Sequence, residues 1–131
     1  MIKLQFAHIC DKAITDPDGK LYLLGIFSNI NSEGFPAAHP SIAVVSAWAG
    51  ERGARSTVQL VLVDKGGTTV FETKPLGIEI EGPQHLLISN INNLILPREG
   101  TYTFQLRSNG ELVHEMELTA TLKNREEQHA S

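Results

Sequence analysis

Apolar and polar residues alternate with a period of two along most of this chain. In the first segment Ile2, Leu4, Phe6, His8 and Cys10 fall on one face, and Lys3, Gln5, Ala7, Ile9 and Asp11 on the other. Successive side chains of an extended backbone point in opposite directions, so this pattern predicts a strand with one buried face. It breaks at Asp16-Pro17-Asp18-Gly19, where proline presets φ for a turn's first corner and glycine accepts a positive φ. The chain is expected to return as a hairpin. The returning run, LYLLGIF at 21–27, is almost continuously apolar, which predicts a central strand covered on both faces or one kinked at Gly25.

The stretch at 28–40 (SNINSEGFPAAHP) is polar, carries Gly34 and is twice interrupted by proline. It reads as the longest irregular connection, crossing from one sheet to another. Alternation resumes at 41–49, with Ile42, Val44, Ser46 and Trp48 on one face and Ala43, Val45, Ala47 and Ala49 on the other. The small residues predict close packing on that second side. Further strands are expected at 54–64, 69–73, 76–81 and 84–96, the last interrupted by Asn90, Asn92 and Asn93. At 100–122, Tyr102, Phe104 and Leu106 alternate with polar residues up to Asn109-Gly110. That dipeptide is the strongest short hairpin signal, because a type I′ turn needs positive φ at both central positions. The returning strand sets Leu112, His114, Met116, Leu118, Ala120 and Leu122 against Glu111, Glu115, Glu117, Thr119 and Thr121, and its carboxylates discourage edge-to-edge aggregation.

About eight or nine short strands with frequent turn signals predict an all-β, antiparallel β-sandwich. Tyr102 follows a Gly-bearing turn and opens the penultimate strand, as in immunoglobulin-like sandwiches, although the usual inter-sheet disulfide is missing. The reading is therefore an immunoglobulin-like sandwich at 1–123, followed by a polar tail at 124–131.

Composition narrows this further. A chain of 131 residues is one domain, able to bury a core without disulfide or metal staples. With 11 Lys plus Arg against 15 Asp plus Glu, its net charge of −4 lacks the positive field that nucleic-acid phosphates attract. No apolar run reaches the ~18 residues that span a bilayer, so neither nucleic acid nor membrane is an expected partner. The lone Cys10, the absence of an N-glycosylation acceptor and the lack of an apolar leader predict a cytoplasmic location.

Candidate chemistry is sparse. His8 and Cys10 share a strand face, and pairing of the first and last strands would add His114, a set suited to zinc or copper. Without clustered ligand spacing these residues read as packed core, so no metal or cofactor is expected. Asp16 and Asp18 lack the further oxygens of a calcium loop. Glu79 and Glu81 share a strand face but sit beside Gly and Pro, where nothing raises a catalytic pKa. The common nucleophile, phosphate-loop and zinc-protease motifs are missing, which predicts no enzyme activity. The repeated Ser-Asn-Ile-Asn at 28–31 and 89–92 reads as shared strand-exit chemistry.

The segments GKLYLLGIFSNINSEGFPAAHP and LISNINNLILPREGTYTFQL resemble a family of small all-β bacterial proteins known only as a domain of unknown function. The resemblance runs from about Phe6 to Leu122. It implies an all-β domain and brings no activity, cofactor or catalytic residue. The functional expectation is a non-catalytic binding or assembly module that takes a protein partner or self-associates through an edge strand or apolar face. The alternative is a small-ligand or carbohydrate-binding sandwich. Its contacts would be Phe35, Pro36 and His39 in the irregular connection, with Trp48 as a stacking platform if it is not core.

Overall fold

The structure, a computed structural model, describes residues 1–123; the expected tail at 124–131 lies outside the described residues. Ten strands follow one another: β1 Lys3–Thr15, β2 Leu21–Ile26, β3 Asn29–Ser32, β4 Ala37–Ala49, β5 Arg55–Val63, β6 Thr69–Glu72, β7 Leu76–Glu79, β8 His85–Leu96, β9 Gly100–Ser108 and β10 Glu111–Leu122. They form two open sheets. One has the order β2-β1-β4-β8 and the other β3-β10-β9-β5-β6, with β7 also paired to β5. All pairings are antiparallel except β3 with β10.

The strand beyond the expected eight or nine is β3. The segment at 28–40 is thus mostly strand, leaving only 33–36 between β3 and β4. The expected crossing from one sheet to the other is corrected: β2 and β4 belong to the same sheet, and the segment only visits the second sheet, through β3, before returning. Pairing beside Thr119–Leu122 and burial of Ile30 outweigh the polar local composition. Pro40 is tolerated within β4 because β1 leaves β4 at the Cys10–Ala43 pair, so β4 beyond it has a neighbour on one side only.

The larger core lies between the sheets. It joins Ile9, Ile42, Val44, Trp48 and Ile91 of the first sheet to Val58, Leu60, Leu62, Tyr102, Phe104 and Leu118 of the second. A smaller cluster of Cys10, Ala43 and Val45 sits on the other side of β1 and β4. The two faces of β4 are therefore as the alternation predicts, and its small residues do pack closely. In β1 a bulge between Leu4 and Phe6 changes the assignment. Leu4, Ala7 and Ile9 turn to the main core, while Phe6 joins Cys10 in the smaller cluster. A shift between Leu112 and His114 interrupts β10 in the same manner.

The turn chemistry is met. Asn109 and Gly110 have φ of 51° and 82°, as a type I′ hairpin requires. Tyr102, buried at the start of β9, donates its hydroxyl to the Arg98 carbonyl (2.5 Å) and accepts from the Arg98 N–H (3.2 Å).

Candidate functional site: an apolar ribbon

β1 is longer than the sheet it belongs to. Its register with β4 ends at Cys10, which pairs with both Ala43 and Ile26, and from Lys12–Leu24 to Thr15–Leu21 it pairs only with β2. Residues 11–26 therefore form a two-stranded ribbon, a unit marginally stable in water unless it packs on something. Its Ala13, Leu21 and Leu23 pack against the Cys10, Ala43 and Val45 cluster. Among the described residues the opposite face does not pack. Ile14 and Tyr22 lie across from one another and are 41% and 46% exposed, and Leu24, across from the exposed Lys12, is 50% exposed; Ile26, paired with Cys10 at the base of the ribbon, is 60% exposed. Among the described residues, four of the ten exposed large hydrophobic side chains sit here.

LYLLGIF thus has the composition of a strand covered on both faces, yet β2 is an edge strand with one face open. The expected kink is present, with Gly25 at φ 69° and the Asp11 carboxylate against the space a Cβ would fill.

The tip is ordered by Asp16. Its Oδ1 accepts the N–H groups of Asp18 and Lys20 (both 2.9 Å), and its Oδ2 accepts the Tyr22 hydroxyl (3.0 Å). The Lys20 backbone bond above all, helped by Tyr22, holds this carboxyl below the usual aspartate range. A depressed folded-state pKa contributes stability above the unfolded pKa and loses it as pH falls through the folded value. NMR titration should therefore give Asp16 a midpoint below that of an unfolded peptide containing it, with the Lys20 amide shifting in step. A midpoint at or above the peptide value would contradict this geometry.

The residues singled out from the sequence do not converge. Trp48 is fully buried and donates Nε1–H to Ser46 Oγ (2.9 Å), so of its two readings it is core, and the stacking-platform alternative is removed. His39 is in β4, its ring 5.7 Å from that of Phe27. Phe35 packs against the main core and Pro36 is exposed. Nine residues of extended chain, about 30 Å, separate His39 from Trp48, so they do not line one pocket.

β1 and β10 belong to different sheets, which removes the pairing that would bring His114 to His8 and Cys10. Among the described residues no group of three or more His, Cys, Asp or Glu is placed to hold a metal ion. Burial pushes the Cys10 thiol up, with the Asp11 charge adding and a backbone bond at Lys12 opposing. Glu79 is engaged by Arg55, with Nε 2.6 Å from its Oε1. The ribbon's open face was the feature missed; the uninterrupted apolar run was its only signal.

A cleft reaches the main core between the sheets. It measures about 270 Å³ and opens beside β8 where the strand on β5 changes from β6 to β7, with Val58, Leu60 and Leu106 as its floor and Lys74 and Leu76 at its margin.

The sequence model of a family of unknown function, DUF6941, matches residues 5–121. The chain belongs to DUF6941. No curated protein matches it. Among solved structures, this DUF6941 domain is similar to the alkylpurine DNA glycosylase AlkC of Pseudomonas fluorescens, bound there to DNA containing an abasic site analog. The TM-score is 0.55 at 13% identity, over 94% of this chain and 30% of the glycosylase chain. A β-glucuronidase from glycoside hydrolase family 2 matches at TM-score 0.33 and 14% identity, over 69% of this chain and 11% of that one. The first likeness is one of fold. The domain spans less than a third of either chain.

Proposed function

We propose that this DUF6941 domain is a non-catalytic protein-binding or assembly module of the bacterial cytoplasm, working through the β1–β2 ribbon. The observation that carries the reading is the open face of Ile14, Tyr22 and Leu24 beside the unpaired edge of β2. Extended partners add to such edges by main-chain hydrogen bonds, and the alternating side chains supply specificity.

The scaffold is an immunoglobulin-like sandwich. Support comes from the order β10-β9-β5-β6 facing β1-β4-β8, and from the Tyr102 hydroxyl bound back to Arg98. A cytoplasmic setting accords with a lone, buried, free thiol. The DNA held by the glycosylase is not carried over, because a net charge of −4 opposes phosphate binding.

Site-specific photo-crosslinking in cells tests the reading. A photoreactive residue at Leu24 should give a protein adduct, and one at Glu115, on the opposite sheet, should not. No adduct from Leu24, or equal adducts from both positions, would overturn it.

A further inference from the structure

We infer that the strand docking on β2 is β2 of a second copy, antiparallel across a two-fold axis at Leu23. This rests on the ribbon being the interaction surface. The edges of the fold differ in how they are protected. The stretch of β10 not covered by β3 carries Glu111, Glu115 and Glu117. β8, which from Leu86 to Leu96 is likewise free of charge and proline, has Asn93 at φ 54° and Lys74 and Leu76 across the cleft from it. The β1 side of the ribbon carries Asp11 and Lys12. From Leu21 to Phe27, β2 has no charge and no proline, so it lacks the devices that keep edges apart.

Its own hydrogen bonding selects a register. The Asp16 N–H donates to the Lys20 carbonyl, making that pair a hydrogen-bonded one. Antiparallel pairs alternate, so Ile14–Tyr22 and Lys12–Leu24 bond inward, and the backbone groups of Leu21 and Leu23 point to the open side. A second β2 bonding to these groups with Leu23 opposite itself places Tyr22 opposite Leu24 of the second copy, twice. Both are non-hydrogen-bonded positions, where side chains approach most closely. Leu21 meets Gly25, and Lys20 meets Ile26, so no like charges face each other. The two Ile14 side chains extend the strip outward.

The area is adequate for a modest dimer. Each ribbon leaves on the order of 400 Å² of apolar side chain in water, the size of the largest patch on an ordinary monomer. Two such patches with two strand edges approach the roughly 1,000 Å² that a specific interface needs. No single charge on the open edge must be neutralised by a different partner, which favours a like strand.

Light scattering on the purified chain is expected to give twice 14.4 kDa at micromolar concentration and above. Leu24→Lys, at a half-exposed position, should give a folded monomer whose thermal transition, unlike that of the wild type, does not change with protein concentration. Leu23→Cys should oxidise to a covalent dimer, because the two Cα atoms across the axis lie within the ~4.4–6.8 Å a disulfide spans. A strict monomer at high concentration would overturn self-pairing, as would a dimer untouched by Leu24→Lys. An oxidation-resistant Leu23→Cys dimer would overturn the register. A monomer whose Leu24 photo-adduct contains a different protein would sink this inference while leaving the module reading standing; loss of the adduct altogether would sink both.

Discussion

Trp48→Ala is expected to destabilise the domain by about 3–5 kcal/mol, the cost of emptying a large buried site that its neighbours refill only in part. Trp48 has no exposed surface, and its β4 neighbours leave it between Leu4 of β1 and His85 of β8. The lost indole also strands the Ser46 hydroxyl in a buried position. Against the ~5–15 kcal/mol that ordinarily holds a domain together, this is a large fraction. Thermal melting should fall by roughly 10–20 °C. An exposed stacking residue would behave differently, since surface substitutions usually stay within about 0.5 kcal/mol. A melting shift of only a degree or two would restore Trp48 as a platform and contradict the packing described above.

That experiment bears on what a single sequence can disclose. The alternation from Ile42 to Trp48 was legible because both faces of β4 are buried and the side-chain period is strictly two. The turns at 16–19 and 109–110 were legible because glycine and asparagine there meet a local backbone requirement. β3 was hidden because four residues, two of them asparagine, become a strand only beside β10, some ninety residues away in the chain. The bulge after Leu4 was hidden for a related reason. An inserted residue reverses which face is buried without leaving a mark in composition, so His8 and Cys10 pointed away from the core assigned to Leu4. The candidate site was half legible. LYLLGIF announces a strand that needs cover on both faces, but only the topology discloses that this chain covers one of them, through Leu21 and Leu23, and leaves Tyr22 and Leu24 in water.

The two tyrosines of the chain give a matched pair of hydroxyl deletions with different expected outcomes. Tyr102→Phe should cost about 1–2 kcal/mol, because the hydroxyl serves both the N–H and the carbonyl of Arg98 and its ring is 1% exposed. Phenylalanine keeps the ring in the core and removes only the tie between the β8–β9 connection and the start of β9. Tyr22→Phe removes a hydrogen bond to Asp16 of similar length, yet the ring is 46% exposed and water replaces the lost partner. Its effect on monomer stability should stay below about 0.5 kcal/mol. Urea denaturation of both variants, made in the Leu24→Lys background so that dimer dissociation does not enter, reads the difference directly, through midpoints at a shared m-value. Equal losses would mean that the Tyr102 hydroxyl contributes no more than a solvated one. The corner at 97–100 would then be held by the packing of the Tyr102 ring in the core, across from Leu118, rather than by the hydroxyl's grip on Arg98.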